Sequence, residues 1–66
     1  MDQNLFNQLD YINKIKLTNL INENNIENIS KFYKRIYPFK QNNTQITIMI
    51  QLIDNFINSN NNKVII

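Results

Sequence analysis

A chain of 66 residues with no glycine, no cysteine and no histidine has few ways to hold a fold together. Without glycine, any left-handed turn falls to asparagine, the side chain that best tolerates that region among the rest. Cysteine and histidine are the ligands of structural zinc, and cysteine alone forms disulfides, so neither staple is available. Chains this short bury only about 60% of the surface that they expose when unfolded. Apolar side chains, a partner or self-association must therefore supply the stability.

The charge balance is even, with seven Lys/Arg against five Asp/Glu and a net charge of +2. That is too weak for the footprint of a nucleic-acid-binding domain. No apolar run approaches the roughly 18 residues of a membrane span, and no basic stretch followed by an apolar one marks a signal peptide at the N-terminus. The lack of cysteine is compatible with a reducing compartment. Asparagine and isoleucine dominate the composition, which reads as A/T-rich codon usage. Isoleucine and leucine interrupt every asparagine run, against a prion-like tract.

Apolar positions recur at helical spacing along the chain. Leu5, Phe6, Leu9, Ile12, Ile15, Leu20 and Ile21 predict a first helix, started by Asp2 or Asn4 and ended at Asn24-Asn25. Its apolar positions drift around the axis between Ile15 and Leu17, so it bends there or is contacted on more than one side. Ile26 is expected to fold back on the last turn. Ser30, with Asn28 as the alternative, caps a second helix that carries Ile29, Phe32, Tyr33, Ile36 and Tyr37 on one stripe, and Pro38 stops it. Phe39 to Asn43 reads as a loop. Thr44 caps a third helix to about Asn58, with Ile46, Ile48, Met49, Ile50, Leu52, Ile53, Phe56 and Ile57 on a wide arc. A strand through Ile46, Ile48, Ile50 and Leu52 is the rival, since these residues also alternate and β-branched side chains favour strands. The spacing of Leu52-Ile53 and Phe56-Ile57 favours the helix. Ser59 to Asn62 reads as a polar break before an apolar tail, Lys63 to Ile66. The expected fold is one all-α domain over residues 1–66, with three to four short helices.

Two blocks resemble a known family. LINENNIENISKFYKRIYP, from Leu20 to Pro38, carries an apolar pair at Leu20-Ile21, then Glu23, with Asn25 where the family has a turn glycine. Ile26, Ile29, Ser30 and an Ile36-Tyr37-Pro38 ending follow. MIQLIDNFI, from Met49 to Ile57, resembles that family's last helix. The family is the small transcription and mRNA-export factor of the enhancer of yellow type, shared by the SAGA deubiquitinating module and the TREX mRNA-export complex. The resemblance covers about half of the chain. It implies a non-catalytic, nuclear, all-helical clasp around a long helix of a larger subunit, in the nucleoplasm or at the nuclear pore.

The residues expected to touch such a partner are Leu9, Ile12, Leu20, Phe32, Ile36, Ile50, Ile53, Phe56 and Ile57. For any single one of them the domain's own core is the commoner fate. The Ile46–Ile57 arc is the stronger interface candidate, because it is wider than one neighbouring helix covers. Lys31, Lys34, Arg35 and Lys40 are interleaved with Tyr33, Tyr37 and Phe39. They read as a solvated face, since the rings sit opposite the cations and the two would not converge on one strand of nucleic acid. Lys34 and Arg35 are accordingly expected to be dispensable for partner binding.

Asp2, Asp10, Glu23, Glu27 and Asp54 are scattered, and no base stands near a Ser or Thr nucleophile, so no enzyme is read. No cofactor, metal or small-molecule substrate is expected, and a glycine-rich phosphate loop is excluded outright. The competing readings are a small domain like the N-terminal bundle of elongation factor TFIIS, a small basic nucleic-acid-binding protein, and a viral or phage protein of unrelated fold.

Overall fold

The computed structural model describes the backbone of residues 1–65 and the side chains of residues 1–59. The described residues form four α-helices, α1 (Gln3–Asn7), α2 (Tyr11–Glu23), α3 (Ile26–Ile36) and α4 (Thr44–Ile65), with a 3₁₀ turn at Tyr37–Phe39. No strand occurs among the described residues, so Ile46 to Leu52 is helical, as the 3.6-residue spacing predicts. The all-α expectation therefore holds.

The predicted first helix is two helices. Asp10 is extended, with φ −71° and ψ 171°, and its carboxylate accepts from the Asn13 amide at 2.8 Å, so a new helix starts one residue later. The corner lies at Gln8–Asp10, not at Ile15–Leu17. Leu9, inside the corner, is buried. The apolar spacing runs through the break without a gap, so the periodicity does not reveal it. What encodes it is the cap at Asp10. Asp2 caps α1 as expected, accepting from the amides of Asn4 and Leu5. The corner is also tied from outside. The Gln45 side chain accepts from the Asp10 amide at 2.7 Å and donates to the Gln8 carbonyl at 2.9 Å. One primary amide thus satisfies the donor and the acceptor that flank the break.

Two consecutive asparagines make the second corner, each with its own task. Asn24 is the one residue with positive φ among those described, at φ 50° and ψ 34°, and it closes α2. Asn25 is extended and opens α3, its side chain accepting from the Asn28 amide at 3.2 Å. The left-handed position is therefore Asn24, and Asn25, matched above to a turn glycine, has no need of one. Ile26 starts α3, is 45% exposed and is not among the side chains packed on the core. The cap at Asn25 also moves the helix start ahead of the expected Ser30, which lies inside α3. Both residue types cap well, and spacing alone does not choose between them.

Pro38 ends α3 as predicted, and the chain tightens into the 3₁₀ turn before reversing. Asn43, one residue before the expected Thr44, caps α4. Its side chain accepts from the Gln45 amide at 2.9 Å and its carbonyl from the Thr47 amide at 3.0 Å. The Thr47 hydroxyl lies between the Lys40 and Asn43 carbonyls and fastens the loop to the first turn of α4. The helix then continues through Ser59–Asn62 to Ile65 instead of stopping near Asn58. Serine and asparagine are mediocre helix formers at a few tenths of a kcal/mol each, not breakers like proline. Of the apolar tail, Ile66 lies outside the described residues.

At about 1.5 Å per residue, the 22 residues of α4 run about 33 Å, nearly the molecule's full 35 Å length. At 100° per residue its apolar positions span roughly 200° of the circumference. The other elements fill that arc, since α1, α2, α3 and the 3₁₀ turn all pack on α4. The core consists of Leu9, Leu17, Ile29, Ile48, Met49, Leu52 and Ile53, with Leu5, Phe6, Leu20, Ile21, Phe32, Tyr33, Ile36, Phe56 and Ile57 half-buried around it.

Candidate docking surfaces

The core accounts for most of the positions expected to face a partner. Leu9 and Ile53 lie inside it, and Ile50 is buried as well. Leu20, Phe32, Ile36, Phe56 and Ile57 are half-buried against it. The Ile46–Ile57 arc is too wide for one neighbouring helix, but the chain supplies several elements to cover it. It is thus not a free face, and a partner would reach Ile53 only by prising the bundle apart. Ile12 alone of the nine is openly exposed, at 64%.

Ile12 is not alone on its helix. Tyr11 is 76% exposed and Ile15 43%, and the three share the side of α2 that faces away from Leu17. The corner at Asp10 produces this. α2 starts in a new direction, buries Leu17, half-buries Leu20 and Ile21, and leaves the apolar positions of its first turns outside. The drift between Ile15 and Leu17 recorded this two-sidedness. Tyr11 and Ile15 were the positions to add to Ile12, and the drift was the signal for them. A second exposed apolar group is Tyr37 and Phe39 at the 3₁₀ turn.

Cations and rings of α3 and the 3₁₀ turn meet, where the sequence reading set them on opposite faces. The Arg35 guanidinium stands over the Phe32 ring, 5.3 Å from its centre, and the Lys40 ammonium over the Tyr37 ring at 4.0 Å. Both pairs are three residues apart, which makes them neighbours on a helical surface, and long basic side chains lie back along their stems onto such apolar neighbours. Lys40 also donates to the Tyr37 hydroxyl at 2.8 Å, and Tyr37 stacks obliquely on Tyr33 at 5.4 Å. Burial, and then the Asp54 carboxylate beside it, push the Tyr33 phenol above its ordinary pKa of 10.0. It stays protonated and able to donate throughout the neutral range.

Two of the clefts lie between α4 and other helices. One, of about 410 Å³, is lined by Met1, Asp2 and Ile21 on one side and by Leu52, Asn55, Phe56 and Ser59 of α4 on the other. The other, of about 300 Å³, lies among α2, α3 and the start of α4. Asp2 and Asp10 spend their carboxylates on helix caps, and Glu27 pairs with Lys31 at 3.3 Å. Among the described residues no three metal-ligating side chains cluster, and no helix is long and apolar enough to cross a membrane. No family model, curated protein or solved structure matches the chain.

Proposed function

We propose that this protein is a non-catalytic helical adaptor that holds a long helix of a larger subunit. The setting proposed is the nucleus, in a transcription coactivator of the SAGA deubiquitinating type or an mRNA-export complex. The observation that carries the adaptor reading is the bare apolar side of α2, where Tyr11, Ile12 and Ile15 face away from a core that is already filled. A chain without disulfide or metal gains most from covering such a side, because any partner that binds only the folded state stabilises it by mass action. The nuclear setting rests on the two blocks that resemble the enhancer of yellow family.

Contact through α2 differs from the clasp first expected in one respect. The partner adds to an existing bundle and does not form its centre. The test is a pull-down from source-cell extract with the tagged chain and with Ile12→Ser/Ile15→Ser, folding of both verified by circular dichroism. Recovery of one long-helix subunit by the parent chain and its loss from the folded variant supports the proposal. Retention by the variant, or no recovery by either chain, refutes it. Even distribution of a fluorescent fusion across cytoplasm and nucleus would refute the nuclear setting alone.

A further inference from the structure

The cleft among α2, α3 and the start of α4 has the chemistry of a recognition site. Its apolar lining comes from Phe32 and Ile36 of α3 and from Ile46 and Met49 of α4. Lys16 from α2 and Arg35 from α3 line the same cleft, with two asparagines, and no acidic residue lines it. Both cations are exposed, and the one ion pair among the described residues is Lys31–Glu27, elsewhere on α3. Two helices thus bring two positive charges, neither paired with a carboxylate among the described residues, to one partly apolar depression.

We propose that this cleft docks an acidic amphipathic segment of a protein partner, one large apolar side chain entering the depression and flanking carboxylates pairing with Lys16 and Arg35. The inference rests on the adaptor reading and names the chemistry of what is adapted. At about 300 Å³ the cleft is at the small end of ligand cavities, which suits a side chain better than a cofactor. Arg35 is held over Phe32, so its planar fork is partly ordered before a carboxylate arrives. The same stacking argues against single-stranded nucleic acid. Phe32, the one ring that lines this cleft, has Arg35 over one face and packs on the core, which leaves it poorly placed to stack a base.

The probe is a synthetic helical peptide of about 15 residues with one central leucine and glutamates three residues before and four residues after it. Its glutamine and lysine counterparts are the comparisons, all titrated into the ¹⁵N-labelled chain. The glutamate peptide should shift the amides around Lys16, Arg35 and Ile46 and bind about tenfold more tightly than the glutamine peptide, as two rim ion pairs would give. Lys16→Gln or Arg35→Gln should shrink that margin, and Lys34→Gln, whose side chain lies outside the cleft, should not. The double variant Lys16→Glu/Arg35→Glu should invert the preference toward the lysine peptide, which simple loss of folding cannot do.

Equal binding of the glutamate and glutamine peptides overturns the proposal. So does oligouridylate binding at this cleft as tightly as the glutamate peptide. Shifts confined to Tyr11–Ile15, whatever the peptide's charge, overturn this site while leaving the adaptor reading in place. The adaptor reading falls separately, if the Ile12→Ser/Ile15→Ser chain keeps its partner.

Discussion

Ile53 and Ile12 are the same side chain on two helices of the same small bundle. Ile53 is sealed in the core, and Ile12 stands in the solvent. Both occupy positions that helical spacing marks as apolar. The difference lies in what surrounds each helix. α4 is long and central, and the chain lays three helices and a 3₁₀ turn along its apolar arc. α2 is peripheral, with apolar residues on both sides and an intramolecular neighbour for one of them. A wide arc on a central helix therefore signals several internal contacts. A split pattern on a peripheral helix signals a face left over.

The largest effect expected from this contrast is at Ile53. Truncating a fully buried isoleucine typically costs about 2–5 kcal/mol. A chain of this size has roughly 3–10 kcal/mol in all, at 0.05–0.15 per residue. Ile53→Ala should therefore leave the chain partly or wholly unfolded in a urea titration followed by circular dichroism. A midpoint close to that of the parent would show that the arc is not the core and would dissolve the contrast.

Next is the corner that sends the first turns of α2 outward. Gln45→Ala removes both hydrogen bonds across it, each worth about 0.5–1.5 kcal/mol, for an expected loss of about 1–3 kcal/mol. An unchanged stability would mean that burial of Leu9 holds the corner unaided.

Asn24→Ala comes third. Forcing an ordinary side chain into the left-handed region costs about 1–2 kcal/mol, and asparagine already bears part of that, so a loss near 1 kcal/mol is expected. Asn24→Gly should match or exceed the parent, and the corresponding glycine at Asn25 should lose a few tenths as a weaker cap. The reverse pattern would place the left-handed residue at Asn25.

The smallest stability effect belongs to Ile12. Ile12→Ser should lie within about 0.5 kcal/mol of the parent, as surface substitutions do. A loss comparable to that at Ile53 would mean that the exposed side of α2 is covered in solution, for instance by self-association. Sedimentation of the parent chain over a concentration series would then show a species heavier than 8.0 kDa.

How much of this was legible follows from the kind of signal each residue gives. The helical state of Ile46–Ile57 and the stop at Pro38 came through because periodicity and proline geometry are local. The corner at Asp10 did not, because Leu5, Leu9 and Ile12 keep helical spacing across it and a cap leaves no trace in an apolar pattern. Asn25 and Ser30 were both competent caps, and tertiary packing selected the earlier one. The proximity of Arg35 to Phe32 was legible in the i,i+3 spacing, and grouping the basic residues on one face opposite the rings hid it. The pairing of Lys16 with Arg35 at one cleft, and the reach of Gln45 to Gln8 and Asp10, depend on how α2, α3 and α4 come together, which no window of sequence contains.

The Gln45 bridge also bears on the order in which the molecule assembles. Its partners lie 35 and 37 residues away along the chain, more than half its length. Closing so long a loop costs entropy that two hydrogen bonds cannot offset early, when little else is fixed. The helices and the adjoining α3–α4 hairpin involve shorter separations and should form first. The bridge is then a late contact, absent from the folding transition state. Removing it should accelerate unfolding while leaving the folding rate nearly unchanged, so that the effect of Gln45→Ala falls on the unfolding limb of a chevron plot. Such a contact acts as a latch on the lifetime of the folded state.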